Sequence, residues 1–298
     1  MSELSNARPE FYRHSGRVDM ARLVPAALGM VAAVLLLAGV YAVLFNYVRF
    51  LVILSAFFWI LACIGVGAIA QKGIQWAKVR NIPMGGGLAL MLGLLMLGAS
   101  WLFWLDLLLA QPGVPPISAW DLLTHPARAW RIILKINETG VWTIGRTHDT
   151  VSGVALWAVW LVEAGGLVGT PVSMALRYLR NTPFCENCGK WGTARVLANV
   201  NRGDITQMRD RLEQKDFAYL QGLGPTTSDL AWVRVKLEGC ADCDSVPLLT
   251  AELVTINVSK KGERKEVVKP IVRHLMLSTE ESTALIMACA NLDPPVGT

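Results

Sequence analysis

The chain has 298 residues, of which 53% are hydrophobic and 17% charged, and this composition excludes an ordinary water-soluble protein of that length. All long apolar runs lie within residues 1–182, whereas residues 183–298 have the mixed composition of a soluble domain. The net charge of +5 belongs to the first part, because residues 183–298 carry 14 basic and 15 acidic side chains. A nearly neutral soluble part argues against nucleic acid as a partner.

The N-terminal segment, residues 1–22, is basic and precedes the first apolar run. It contains Arg8, Arg13, Arg17 and Arg22. The segment and the run are both too long for a cleavable signal peptide, so we expect the arginines to orient the first membrane helix.

Four stretches are long and apolar enough to form transmembrane helices, which need about 20 apolar residues. They cover residues 23–45, 50–70, 88–110 and 153–176. The fourth is the least regular, because it contains Glu163, four glycines and Pro171. The pattern predicts an α-helical membrane bundle of four transmembrane helices over residues 23–180, with an outer loop at residues 111–152.

The distribution of basic residues predicts the orientation of this bundle. With four spans, the N-terminal segment, the loop at residues 71–87 and the exit from the fourth helix share one side, which is richer in Lys and Arg per residue. The positive-inside rule then predicts that both termini are cytoplasmic, and we expect a bacterial inner membrane. An odd number of spans would instead place the extramembrane cysteines where disulfides form.

The outer loop is expected to contain a helix, because Ser118 and Asp121 have the spacing of a capping box. The turns that follow place three apolar side chains opposite three basic ones: Trp130, Ile133 and Leu134 against Arg128, Arg131 and Lys135. Two interpretations stay open. The helix lies in the interface of the outer leaflet, or it packs on the bundle.

Two carboxylates lie within the predicted spans, where a charged side chain costs about 2.5–3.5 kcal/mol at the helix centre. Asp106 lies roughly 6–7 Å from the outer end of the third helix at a rise of 1.5 Å per residue, and is interpreted as an interface residue. Glu163 lies about 16 Å from the outer end of the fourth helix. We expect Glu163 to be a polar tie between helices or part of a proton or ion pathway.

Small residues in the third and fourth helices predict close helix packing. Ala89 and Gly93 form one small-xxx-small pair, and Gly165 and Gly169 form another. Such pairs allow two backbones to approach closely in a membrane.

The soluble part contains two Cys-x-x-Cys pairs, Cys185 with Cys188 and Cys240 with Cys243. Four thiolates complete a tetrahedral shell around one metal ion and leave no position for substrate, which is typical of a structural site. The first pair is followed by Gly189, which favours the tight turn of a metal-binding knuckle.

This Cys-x-x-Cys-Gly turn resembles the knuckle of the zinc-ribbon class over about residues 184–244. The resemblance implies one structural zinc ion. Two features depart from the class: the pairs are 51 residues apart, and the second is followed by Asp244 rather than glycine. A redox-active dithiol and disulfides remain alternatives. Cys63 and Cys289 are interpreted as buried apolar residues.

The remainder of residues 183–298 predicts a small cytoplasmic α+β domain. A helix is expected at residues 204–221, strands at 232–237, 248–258 and 266–277, and a last helix that ends near residue 292. Ser278 and Glu281 have the spacing of a capping box at the start of this helix.

No catalytic or cofactor-binding motif is present in the soluble part. We therefore expect a membrane-anchored zinc-ribbon protein that acts as an interaction or regulatory module, with a protein partner or a second copy of itself, rather than an enzyme. The alternative is an oligomeric transport or ion-conducting protein that uses Glu163, with the zinc domain for gating or assembly.

Overall fold

The computed structural model describes residues 10–48, 52–109, 119–140, 142–143, 150–243, 245, 247–260, 262–290 and 292. The chain forms two compact units. The membrane unit is Gly16–Asn181, and the soluble unit is Thr182–Thr298 together with the N-terminal segment up to Ser15.

The membrane unit consists of helices and one short hairpin. Its elements are α1 (Met20–Val48), α2 (Val52–Trp76), α3 (Ile82–Leu109), α4 (Ala119–Thr124), α5 (Pro126–Thr139), β1 (Trp142–Thr143), β2 (Thr150–Val151) and α6 (Gly153–Asn181). Within the described residues, α1, α2, α3 and α6 are long and apolar enough to cross a membrane, with mean hydropathy from 1.4 to 2.5. The four predicted helices are confirmed as candidate spans.

Each of these helices extends beyond its predicted apolar stretch. Asp19 accepts a hydrogen bond from the N–H of Ala21 at 3.1 Å, so α1 begins before the apolar run. The α6 helix continues to Asn181 through Arg177 and Arg180. Helical hydrogen bonding persists in polar surroundings, and the limits of the apolar run therefore underestimate the helix.

Close packing in the membrane unit occurs at some of the predicted small residues. A Cβ atom on Gly93 would lie 2.9 Å from the Cα of Val168, so α3 and α6 approach backbone to backbone there. Ala89 is buried on the same helix, which confirms the first pair. The second prediction was wrong, because a Cβ on Gly165 or Gly169 would meet nothing within 4 Å among the described residues.

The outer loop contains α4 and α5, and α5 packs on the bundle. Ile132, Ile133 and Ile136 contact the cluster around Trp104 and Leu105. The face of α5 that contacts the bundle is therefore shifted by one residue from the face predicted from the sequence. Two residues of the predicted face are exposed: Trp130 at 51% and Leu134 at 39%. Ser118, the predicted cap, lies outside the described residues.

The soluble unit is an antiparallel sheet with helices on one face. Its elements are β3 (Phe184–Cys185), β4 (Lys190–Trp191), β5 (Thr193–Asn201), α7 (Ile205–Glu213), α8 (Ala218–Leu223), β6 (Ala231–Gly239), β7 (Leu248–Val258), β8 (Arg264–Met276) and α9 (Thr279–Ala290). The four long strands have the order β5-β6-β7-β8, and β3 pairs with β4 in a separate hairpin.

The core of the soluble unit lies between the sheet and its three helices. Alternate strand residues such as Val233 and Val235 contact Met208, Leu220 and Leu285 from α7, α8 and α9. This alternation is the pattern by which a strand buries one face.

Local signals at the ends of the soluble unit's helices are satisfied as expected. Ser278 accepts from the N–H of Glu281 at 3.1 Å, and Glu281 accepts from the N–H of Ser278 at 2.7 Å, so the predicted capping box is confirmed.

The helix predicted at residues 204–221 is instead two helices. Lys215, at φ 62°, interrupts it and redirects the chain so that Leu220 joins the core.

The N-terminal strap, residues 10–15, belongs to the soluble unit. Phe11 forms a β-bridge with Leu275 of β8. The N–H of Tyr12 donates to the carbonyl of His274 at 2.9 Å, and the N–H of Met276 donates to the carbonyl of Glu10 at 2.8 Å. The strap therefore extends the sheet at the end of β8.

Candidate metal centre

The first cysteine pair lies on the turn between β3 and β4. Cys185 is the last residue of β3 and is buried. The N–H of Cys188 points at the sulfur of Cys185 at 3.5 Å, and Gly189 has φ 61°. Glycine adopts this left-handed φ at no steric cost, so Gly189 lets the chain return as β4 immediately after the second cysteine.

The second cysteine pair lies between the end of β6 and the start of β7. Cys240 follows Gly239, the last residue of β6, and Cys243 precedes Ser245. An ion pair between Lys190 and Asp242 joins the two turns. Antiparallel pairing of β5 with β6 places Gly239 opposite Thr193, and so brings the second turn beside the first despite the 51 intervening residues.

The four sulfur atoms form one group. All lie within 4.8 Å of one another, with Cys185 Sγ 3.6 Å and Cys188 Sγ 3.2 Å from Cys243 Sγ. A tetrahedral shell with metal–sulfur bonds of about 2.3 Å has sulfur atoms about 3.8 Å apart, so these separations fit one metal ion. The four cysteines are free. They can therefore hold one metal ion.

The surroundings shift the pKa values of Cys188 and Cys243 in opposite directions, so the thiols do not all lose their protons at the same pH. The hydroxyl and N–H of Ser245 lower the pKa of Cys243 to about 6. The side chains of Cys243 and Cys240 raise the pKa of Cys188. A bound cation would replace the remaining protons, because metals bind thiolates rather than thiols.

The N-terminal strap contacts the first cysteine turn directly. The hydroxyl of Tyr12 accepts from the N–H of Phe184 at 2.9 Å and donates to its carbonyl at 3.1 Å. The hydroxyl of Ser15 donates to Glu186 at 2.6 Å. The residue before Cys185 and the residue after it are thus both fixed by the strap.

Two histidines that are far apart in sequence meet at the strap. The rings of His14 and His274 lie 5.2 Å and 6.2 Å from the ring of Tyr12, and His14 also lies 6.0 Å from Trp191. No sequence motif pointed to this arrangement, because the four residues come from three separate segments. In the part of the chain that the structure describes, the four cysteines alone have the geometry of a metal site.

Glu163 lies inside the membrane unit, where another helix supplies its partner. The hydroxyl of Tyr41 on α1 donates to Glu163 Oε1 at 2.8 Å. The indole N–H of Trp59 on α2 donates to the main-chain carbonyl of Glu163 at 3.2 Å. The carboxyl group therefore ties α6 to α1, with a second contact from α2.

Asp106 lies apart from Glu163. It lines a groove of about 520 Å³ between α1 and α3, whose other lining residues include Leu36, Val40 and Phe103. Glu163 lines a different cavity, so the structure does not bring the two carboxylates together. Cys63 and Cys289 are buried, as predicted.

No family model matches the chain, and comparisons with curated proteins and with solved structures found no match. The class of protein therefore follows from the fold and the site alone. The chain's described residues include four helices able to span a membrane and a small sheet domain that carries a four-cysteine group.

Proposed function

We propose that the protein is a membrane-anchored interaction or regulatory module whose soluble unit is zinc-ribbon-like and faces the cytoplasm. One structural zinc ion is bound by Cys185, Cys188, Cys240 and Cys243. The module acts within a larger membrane complex, through a protein partner or a second copy of the chain.

The four-sulfur group is the observation that carries this proposal. Four soft thiolate ligands in tetrahedral arrangement favour zinc among the common biological metals. A shell of four protein ligands leaves no position for a water or a substrate, so the ion stabilises the fold rather than performing chemistry. Apart from the bonds to the proposed metal ion, no covalent link joins the two cysteine turns, since the four cysteines are free.

The N-terminal strap supports an even number of spans. Residues 10–15 pair with β8 and with Phe184, so the strap and the rest of the soluble unit occupy the same side of the membrane. The strap precedes α1, and Phe184 follows α6. Four crossings return the chain to the side on which it started, as this arrangement needs. The positive-inside rule favours the cytoplasm for the side that holds the strap and the sheet. A reducing compartment keeps the cysteines from forming disulfides, so that they stay able to bind metal.

An oligomeric transport or ion-conducting protein that uses Glu163 is the second candidate. Its support is the cavity beside Glu163, which lies within the membrane unit. The volume of this cavity is about 20 Å³, which is space for one water molecule. A space of this size favours an interhelical hydrogen bond as the role of Glu163 over a place in an ion pathway.

The metal content of the purified full chain tests the first proposal. We expect one zinc ion per chain, and we expect Cys188→Ser to lose the metal and to expose the soluble unit to proteolysis. Cys289→Ala, which changes a buried cysteine outside the group, is the matched control and should retain the ion. A wild-type chain without zinc that cycles between dithiol and disulfide would contradict the proposal.

Crosslinking in intact cells, followed by identification of the captured protein, tests the interaction role. Capture should be lost in Cys188→Ser and kept in Cys289→Ala and Glu163→Gln. Loss of an ion flux in reconstituted vesicles on Glu163→Gln, with capture unaffected by Cys188→Ser, would favour the second candidate instead.

A further inference from the structure

An apolar groove of about 520 Å³ lies between α1 and α3 on the surface of the membrane unit. Leu36, Val40 and Val43 of α1 line this groove, and all three side chains are exposed among the described residues. Gly39 lies between them without a side chain, and a Cβ placed there would still be 3.9 Å from the ring of Phe103 on α3. Exposed apolar side chains of a spanning helix face lipid, so the groove is open to the hydrocarbon of the bilayer.

The shape of the groove favours a hydrocarbon chain over a helix. The groove runs along α1 from Leu35 to Leu44, a rise of about 14 Å at 1.5 Å per residue, so its mean cross-section is about 40 Å². An α-helix with its side chains is about 10–12 Å across, which gives a cross-section of about 80–110 Å². The groove is therefore too narrow for a helix from a second copy or from a partner. A single extended hydrocarbon chain, which has no side groups, fits a space of this shape.

The groove also contains a carboxylate, which sets the chemistry of the ligand. Among the described lining residues, Asp106 alone is charged. It lies three residues before Leu109, the last residue of α3, which is about 4.5 Å of helix. This depth corresponds to the polar headgroups at that end of the span rather than to the centre of the hydrocarbon. A carboxylate has two oxygens and about four acceptor positions, so Asp106 can accept from a ligand in addition to its contacts within the protein.

The groove and the carboxylate together select one class of lipid. A negative side chain attracts an ammonium group and repels a headgroup whose only charge is a phosphate. A primary ammonium group donates hydrogen bonds to a carboxylate, whereas a trimethylammonium group has no N–H to donate. We propose that the groove binds one phosphatidylethanolamine molecule, with an acyl chain between α1 and α3 and its ammonium group hydrogen-bonded to Asp106. This lipid site rests on the membrane anchoring in the proposed function, and not on the metal centre or on a protein partner.

Native mass spectrometry of the full chain in detergent tests this site, after addition of equal amounts of phosphatidylethanolamine and phosphatidylglycerol. We expect one retained lipid per chain, with phosphatidylethanolamine in excess. Asp106→Asn keeps the shape of the side chain and removes its charge, and should lower this excess about tenfold, the worth of one hydrogen bond to a charged group. Gly39→Leu fills the groove and should abolish retention. Gly29→Leu, at an exposed position of α1 where a Cβ would meet nothing within 4 Å, is the matched control.

Equal retention in Gly39→Leu and Gly29→Leu, or a lipid preference that Asp106→Asn leaves unchanged, would overturn the proposal. So would a wild-type dimer that Gly39→Leu converts to monomers, because a second copy would then occupy the groove. Asp106→Asn keeps the test decisive if Gly39→Leu does not fold. The same spectra report the bound metal ion. A wild-type chain that retains the lipid without metal contradicts the proposed function alone, and one that retains metal without the lipid contradicts the lipid site alone.

Discussion

Lys215 and Glu281 form a partly exposed ion pair between the turn that precedes α8 and the start of α9. Lys215 Nζ lies 2.7 Å from Glu281 Oε2, which also accepts from the N–H of Ser278. Burial acts to raise the pKa of Glu281, but the hydrogen bonds and charge from Lys215 and Ser278 outweigh it and hold the pKa below its ordinary range. The carboxylate of Glu281 thus caps α9 and also holds Lys215, the turn residue with a left-handed φ, in place.

This pair predicts a pH dependence of stability. A carboxylate with a lowered folded-state pKa stabilises the fold above the ordinary glutamate value of about 4.3, and this contribution is lost as pH falls through the folded-state pKa. Glu281→Gln should therefore lower the melting temperature at neutral pH, and its difference from wild type should shrink in acid. Glu280→Gln, on the same turn, is the control. A difference that does not vary with pH would contradict the assignment.

At the residue scale, the sequence identified the cysteines but not the partners of Glu163. Each Cys-x-x-Cys pair is a local feature, because two residues suffice to place both sulfurs on one turn. Tyr41 is 122 residues from Glu163, and their contact depends on the rotation of two helices about their axes. Hydropathy defines where a span lies and carries almost no information about that rotation.

The N-terminal strap is the element that connects the sheet to the first cysteine turn. Tyr12 makes two hydrogen bonds to the main chain of Phe184, directly before Cys185. A turn that is held in place before the metal arrives loses less conformational entropy on binding. The strap should therefore raise the affinity of the centre for its metal.

Substitution of Tyr12 by Phe tests this role. The change removes both hydrogen bonds, each with a net worth of about 1 kcal/mol, as well as the contact of the hydroxyl with His14 Nδ1 at 3.2 Å. It should raise the rate of metal loss to a chelator by roughly fivefold or more. Tyr219→Phe removes a hydroxyl from the same unit at a distant helix and should leave that rate unchanged. Equal rates in the two variants would mean that the strap does not position the turn.

Elements with strong periodicity were predictable, and those defined by tertiary contacts were not. The β7 strand was predicted with its observed limits, because its apolar residues and the proline before it are local signals. The β5 strand was missed because its buried apolar positions are few, Ala198 and Val200, and a register shift between Val196 and Ala198 interrupts the alternation along the strand. The break at Lys215 was missed because the apolar spacing continues through it.

At the scale of the whole molecule, the soluble unit contains both ends of the described chain. Its strap comes before α1, and its sheet comes after α6. The proposed topology, in which the intervening chain crosses the membrane an even number of times, agrees with this arrangement. The arrangement follows from hydrogen bonds in the sheet and is independent of hydropathy and of the distribution of basic residues.

Cysteine labelling in intact cells tests this topology. A single reactive cysteine introduced at Ser15 and one introduced at Ser228, in separate chains, should show the same accessibility to a membrane-impermeant reagent, and one at Thr139 should show the opposite. The first two lie in the soluble unit, and Thr139 ends the outer-loop helix. Opposite accessibility of the first two would require an odd number of spans.

The pairing of the strap with β8 also has a consequence for the order of folding during synthesis. The strap is translated before α1, whereas its partner strand is translated only after the four candidate membrane helices and most of the sheet. Domains generally fold from the N-terminus as they emerge, and this one cannot. We expect nascent chains that stop before β8 to carry an inserted bundle, an unpaired N-terminal segment and a cysteine turn that binds its metal weakly.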